Sequence, residues 1–174
     1  MIKNQRGFSL TELMVVVGIL GIMGLIAVPT LVTALPGYRL KSSARELCSN
    51  MRKARSLAVK QNQEVTIKFW TENNTYTIER LGIKIKPDYP EPIKLPGGVT
   101  FGHGNATKPA GTSLPSDGIS FVDDRVTFTT QGLISGVNGY VYLQNAKGQA
   151  YAITATTSGS IRMRQWAGND WTGQ

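Results

Sequence analysis

From Leu13 to Tyr38 the chain runs for 26 residues without a charged side chain, and most of them are Val, Ile, Leu, Met, Gly or Ala. A helix rises about 1.5 Å per residue, so about 20 such residues match the roughly 30 Å hydrocarbon core of a bilayer. The stretch therefore splits the 174-residue chain into an N-terminal membrane segment and a remainder that folds outside the membrane. One residue is out of keeping. Glu12 stands at the edge of the apolar run, where lipid penalises a charge by a few kcal/mol.

The formal net charge of +8 is unevenly spread. Residues 1–38 and residues 61–174 each carry a net +1, whereas residues 39–60 carry seven Lys or Arg against Glu46. A basic stretch beside a membrane segment suits anionic head groups or an acidic partner, and a solvated helix face is the alternative. In this stretch Leu40, Ala44, Leu47, Met51, Ala54 and Ala58 recur at steps of four and three, the stripe of an amphipathic helix. One long helix is predicted from about Ser9 to Asn62. A kink is expected at Pro29 and a weak point at Pro36–Gly37, since each proline removes a backbone donor.

Beyond the helix the pattern changes to period two. Residues 64–70 (EVTIKFW) and 75–81 (TYTIERL) alternate on either side of TENN and predict a hairpin. Pro87, Pro90, Pro92 and Pro96 break regular structure, and residues 96–102 admit one short strand. His103 to Pro115 reads as a loop. Further strands are predicted at 118–122, 125–132, 139–145, 150–156 and 160–166, with AKG and TSG as turns between the last three. The expected class is α+β, a long helix packed on a small antiparallel β-sandwich-like domain.

RGFSLTELMVVVGILGIMGLIAVP (residues 6–29) resembles the start of type IV prepilins and type II secretion pseudopilins. The resemblance rests on Lys3 and Arg6 in a short leader, then Gly7, Phe8, Glu12, the apolar run and Pro29. Residues 47–69 are similar to the GspH/FimT branch of minor pilins and pseudopilins, and residues 139–164 resemble it more loosely. An ordinary signal peptide would place its cleavage site after a shorter apolar core, not before a long one. The resemblance implies a pilin fold and a division into leader (1–7), transmembrane and assembly helix (8–38), amphipathic half (39–62) and periplasmic β domain (63–174). It further implies cleavage between Gly7 and Phe8 by a prepilin peptidase and N-methylation of Phe8. The chain would be anchored once in the bacterial inner membrane, with Lys3 and Arg6 cytoplasmic. Glu12 would pair with the terminal amine of a neighbouring pilin or pseudopilin and set its register, since a buried charge persists where it is paired. Capping of the helix beside Ser9 is the other reading of Glu12.

The implied function is that of a structural subunit that primes or caps a filament, not an enzyme, with no cofactor. Sequence leaves open whether the filament is a type IV pilus or a type II secretion pseudopilus. A third reading is DNA binding. Some FimT-like pilins bind DNA through Gly-Arg-x-Arg, and the corresponding stretch here is GSIRMRQW (159–166), with Ser160 at the place of the first Arg. Arg162 and Arg164, spaced to share a strand face, would join Lys147 in a phosphate-contacting patch. The other candidates are bland. His103 has no neighbouring ligand in sequence, Asp123–Asp124 reads as a solvated turn, and Trp70, Trp166 and Trp171 as core or interface. Cys48, the one cysteine, reads as a small buried side chain.

Overall fold

A computed structural model describes residues 8–80, 83–84, 92–111 and 113–173. The expectations for the leader, Gly7, Pro87 and Pro90 fall outside the described residues. A single helix α1, Leu10–Gln61, continues across Pro29 and Pro36–Gly37. Near Pro29 the Thr30 hydroxyl donates to Ile26 O at 3.1 Å and that of Thr33 to Thr30 O at 2.9 Å. Both are back-bonds to a carbonyl one turn earlier on the same helix, a habit of Ser and Thr that bends a helix; the carbonyl that Pro29 cannot serve is that of Leu25.

By its contacts the chain divides after Leu35. In the first unit no described side chain is buried. In the second unit α1 buries Leu40, Ala44, Leu47, Met51, Ala54 and Ala58 completely, the stripe read from their spacing. Ser43 and Cys48 are buried beside them. Apolar burial of this kind contributes about 1.5–3 kcal/mol for each large side chain.

Two antiparallel sheets complete the second unit. The first, sheet A, is built from β1 (Val65–Trp70), β2 (Thr75–Arg80), β3 (Ile83–Lys84), β4 (Ile93–Lys94), β6 (Arg125–Phe128) and β7 (Ile134–Ser135). Its order is β3-β2-β1-β6-β7, and β4 shares with β3 the outer edge of β2. The second, sheet B, contains β5 (Val99–Phe101), β8 (Gly139–Asn145), β9 (Ala150–Ala155), β10 (Ile161–Trp166) and β11 (Trp171–Gly173) in the order β11-β10-β9-β8-β5. Alternation fixes what each strand buries. On β1, Val65, Ile67 and Phe69 point inward while Thr66, Lys68 and Trp70 point out. Val141, Leu143, Ile153, Ile161 and Met163 supply the inner face of sheet B to the same core. Phe69 sits at its centre, with Phe101 edge-on at 5.9 Å and Phe121 stacked at 6.4 Å between ring centroids.

The strand expected over residues 118–122 is absent. Ile119 makes one isolated bridge to Val141, and the chain then enters a short 3-10 turn at Val122–Asp124. Gly118 lies at φ +81°, and Asp123 and Asp124 at +53° and +51°, in the left-handed region that ends a strand. Residues 118–120 nevertheless bond to the edge of β8 through Ser120 N to Tyr140 O and Tyr142 N to Gly118 O, extending the line that β5 begins. Residues 129–132 likewise leave the predicted strand. They form a turn closed by Gly132 N to Thr129 O, after which β7 returns against β6.

Candidate functional site

The helix start is built from Ser9. Glu12 N donates to Ser9 Oγ at 3.2 Å and Leu13 N to Ser9 O at 3.1 Å, so Ser9 is the N-cap and Glu12 the third helical residue. A Ser followed three residues later by a Glu is the pattern that best closes a helix N-terminus. Phe8 precedes the cap and is 75% exposed, and the Glu12 side chain is exposed too. Both readings of Glu12 are thus geometrically compatible: its backbone is capped while its carboxylate points outward. The helix surface around it carries exposed apolar side chains through Leu35. It is long and apolar enough to cross a membrane.

Of the three cations of the DNA reading, the two arginines share one strand face and Lys147 lies in a separate turn. Arg162 and Arg164 share the outer face of sheet B, opposite Thr154 and Ala152 of β9. Lys147 lies in the turn at the far end of β9 from Arg162, with its N donating to Asn145 Oδ1 at 3.0 Å. Arg162 is exposed, but Arg164 is half-buried and its Nη1 donates to Ala110 O at 2.9 Å.

That contact belongs to an arrangement that local sequence does not reveal. The segment from Gly102 to Ser113 crosses the outer face of sheet B and carries Ala106 and Ala110 onto Tyr142, Ala152, Trp166 and Trp171. It is tied down by Ala110 N to Tyr142 Oη, Tyr142 Oη to Ser113 O, and Trp171 Nε1 to Lys108 O at 2.8 Å. At Gly111 a Cβ would lie 2.0 Å from the end of the Tyr140 ring, so a larger residue there would push that ring aside. Burial pushes the Tyr142 phenol pKa up, and the Ala110 bond lowers it only in part.

The basic helix stretch has a similar hidden role. Arg39, Arg52 and Arg55 flank the buried stripe and donate to Gly97 O, Ile161 O and Gly132 O at 3.4, 3.3 and 2.8 Å. Arginine, with five donors in a fork, suits such anchoring to carbonyls. Arg80 likewise donates to Gln61 Oε1.

Of the remaining candidates, Cys48 is buried, and burial pushes its thiol pKa up despite nearby Arg52. His103 Nδ1 is buried without a hydrogen-bond partner. Among the described residues no group of three His, Cys, Asp or Glu is arranged to hold a metal. Trp166 and Trp171 pack at 5.4 Å under the crossing segment, whereas Trp70 is 43% exposed beneath the Lys68 ammonium.

A prokaryotic N-terminal methylation motif matches residues 2–28, the region containing Gly7, Phe8 and Glu12. The family described as type II transport protein GspH matches residues 43–160, from the buried stripe through β9 to the turn before β10. The chain belongs to the GspH family. Among solved structures, the minor pseudopilin EpsH from the type 2 secretion system of Vibrio cholerae superposes with a TM-score of 0.53 at 12% identity, covering 72% of this chain and 95% of that one. A second structure of that pseudopilin gives 0.52 at 13% identity over 72% and 92%. The type IV minor pilin FimU of Pseudomonas aeruginosa gives 0.49 at 15% identity over 76% and 92%. At these identities the EpsH likeness is one of fold: a long helix on two antiparallel sheets. No curated protein sequence matches the chain. For this GspH-family chain the minor pilin and pseudopilin family read from the sequence is borne out.

Proposed function

We propose that this GspH-family chain primes or caps a periplasmic filament, as a minor subunit processed by a prepilin peptidase between Gly7 and Phe8. Hydrolysis of the Gly7–Phe8 peptide bond leaves the leader with a carboxylate and frees the Phe8 amine, which the same peptidase methylates by displacing the methyl group from a sulfonium-type donor, the amine giving up a proton. The basic leader keeps the N-terminus cytoplasmic and the β domain periplasmic, with α1 as the inner-membrane anchor. The observation that carries the reading is Glu12, the one charge in the first turn of an exposed apolar helix, inside the matched methylation motif. In a filament of parallel staggered helices its carboxylate meets the Phe8 amine of a neighbouring subunit. Away from water that pairing is favoured over leaving either charge alone.

Two variants separate pairing from capping. Glu12→Gln keeps a side chain that serves the third helical position of a capped helix but removes the charge. Glu12→Ala removes both. Mass spectrometry of the purified chain should show the Phe8 N-terminus in both variants, while incorporation into sheared filaments should fall by about tenfold or more in both. Normal incorporation of Glu12→Gln would reject the pairing role.

A further inference from the structure

The surface of the Pro36–Gln174 unit carries two features of opposite charge at opposite ends of one strand. At one end is a groove of about 360 Å³ along α1, lined by Arg52, Arg55, Ser56, Val59 and Lys60. These residues sit at helical steps of three and four and form one face of α1, off the buried stripe. Val59 is 51% exposed there, three of the five lining residues are cationic, and none is a carboxylate. Gly132, in the turn that follows β6, borders the groove: Arg55 Nε donates to its carbonyl, and its Cβ position lies 3.0 Å from Val59 Cγ2.

At the other end of β6 the 3-10 turn projects Val122, which is 68% exposed, together with Asp123 and Asp124. Asp117 lies close enough to Asp124 to push its carboxyl pKa up, after burial and ahead of Asp123. Arg125 pairs with Asp123 and leaves the turn with an excess of negative charge around one exposed apolar side chain. The groove offers the complement, positive charge around an exposed valine.

We infer that the Val122–Asp124 turn of one copy of this chain docks into the Arg52–Lys60 groove of a second copy. Strand β6 runs between the two features, and its four residues hold them about 14 Å apart, so a copy cannot fill its own groove with its own turn. Joining different surfaces of identical chains gives a heterologous contact, which extends head to tail instead of closing as a pair. The contact uses only residues of the second unit and does not depend on the pairing of Glu12. Failure of either test therefore leaves the other standing.

The test uses the full chain in nonionic detergent with Cys48→Ala, after confirming wild-type-like melting. Ser56→Cys and Val122→Cys variants are mixed and oxidised, since a disulfide forms only where Cα atoms come within about 7 Å. The mixed pair should form about tenfold faster than either same-site pair, and the double-cysteine chain should give a ladder of oligomers. Adding Lys60→Glu to the groove partner should cut the yield about fivefold, and Asp123→Lys on the turn partner should restore it. A mixed rate no higher than the same-site rates, or a yield insensitive to Lys60→Glu, overturns the proposal. So does a duplex DNA or acidic-peptide shift lost in Lys60→Glu without any mixed cross-link, which would assign the groove to that ligand.

Discussion

Sheet A turns Thr66, Lys68, Arg125 and Thr127 toward solvent on its outer face, with Thr66 and Thr127 hydroxyls bonded at 2.8 Å. Sheet B turns Tyr142, Ala152 and Trp166 outward and buries them beneath the segment from Gly102 to Ser113. Both sheets give their inner faces to the same core around α1. An antiparallel sheet needs only one buried face, so the second apolar layer on sheet B is an added piece of stabilisation. It teaches how to read the arginines of β10: on a covered face, a cation near a carbonyl is part of the cover.

The largest test of this contrast compares two tryptophans. Trp171→Ala removes a nearly buried ring packed on Trp166 and Tyr142, together with the bond to Lys108 O. It should cost about 3–5 kcal/mol in denaturant unfolding. Trp70→Ala on the open face should cost about 1 kcal/mol or less, the worth of an exposed cation–π contact with Lys68. Equal losses would mean that the covering segment adds nothing.

Arg164 and Arg162 give the next contrast, on one strand face. Arg164→Ala leaves Ala110 O without its charged donor and should lower stability by about 2 kcal/mol. Arg162→Ala should change it by no more than about 0.5 kcal/mol. A salt-sensitive loss of DNA binding in Arg164→Ala with unchanged stability would instead make Arg164 a phosphate contact.

Much of this molecule is legible in the sequence because its signals are local. The four-and-three spacing from Leu40 to Ala58 names the buried stripe, period two marks β1, and runs bounded by turn residues mark β8, β9 and β10, although β9 is buried at every position. The Ser9–Glu12 spacing marks the helix start. The strands that escape notice, β3, β4, β7 and β11, have two or three residues, too few to show a period. Residues 103–115 read correctly as irregular, but their role does not. The partners that pin them, Tyr142, Arg164 and Trp171, lie 29 to 63 positions away. Arg52 and Arg55 read as charge for a head group, an acidic partner or solvent for the same reason, since their carbonyl partners are 109 and 77 positions distant.

Tyr142→Phe sharpens the contrast further by removing one oxygen. It leaves Ala110 N and Ser113 O unserved and should cost about 1 kcal/mol at neutral pH. Its pH dependence is the more specific readout. Burial raises the phenol pKa above its ordinary value of 10.0, so the folded state holds that proton more tightly than the unfolded chain. The stabilisation is complete below about pH 10 and is lost as pH rises through the folded value. Tyr151, also raised by burial, adds in the same direction. Wild type should therefore lose stability on the alkaline side more steeply than Tyr142→Phe; parallel slopes would place the phenol in water.

The smallest effect is expected on the rim of sheet A, at Asp124. Burial, then the charges of Asp117 and Asp123, raises its carboxyl pKa above the ordinary 3.8. The folded state thus binds that proton more tightly, so the contribution favours folding below about pH 4 and disappears as pH climbs through the raised value. Asp124→Asn keeps a residue that tolerates φ +51° and removes the charge. Near neutral pH it should be as stable as wild type or more so, by about 0.3 kcal/mol, because water screens charges on this open rim. Below about pH 4 wild type should regain the difference. A gain above about 1 kcal/mol would show that the rim of sheet A excludes water as the covered face of sheet B does.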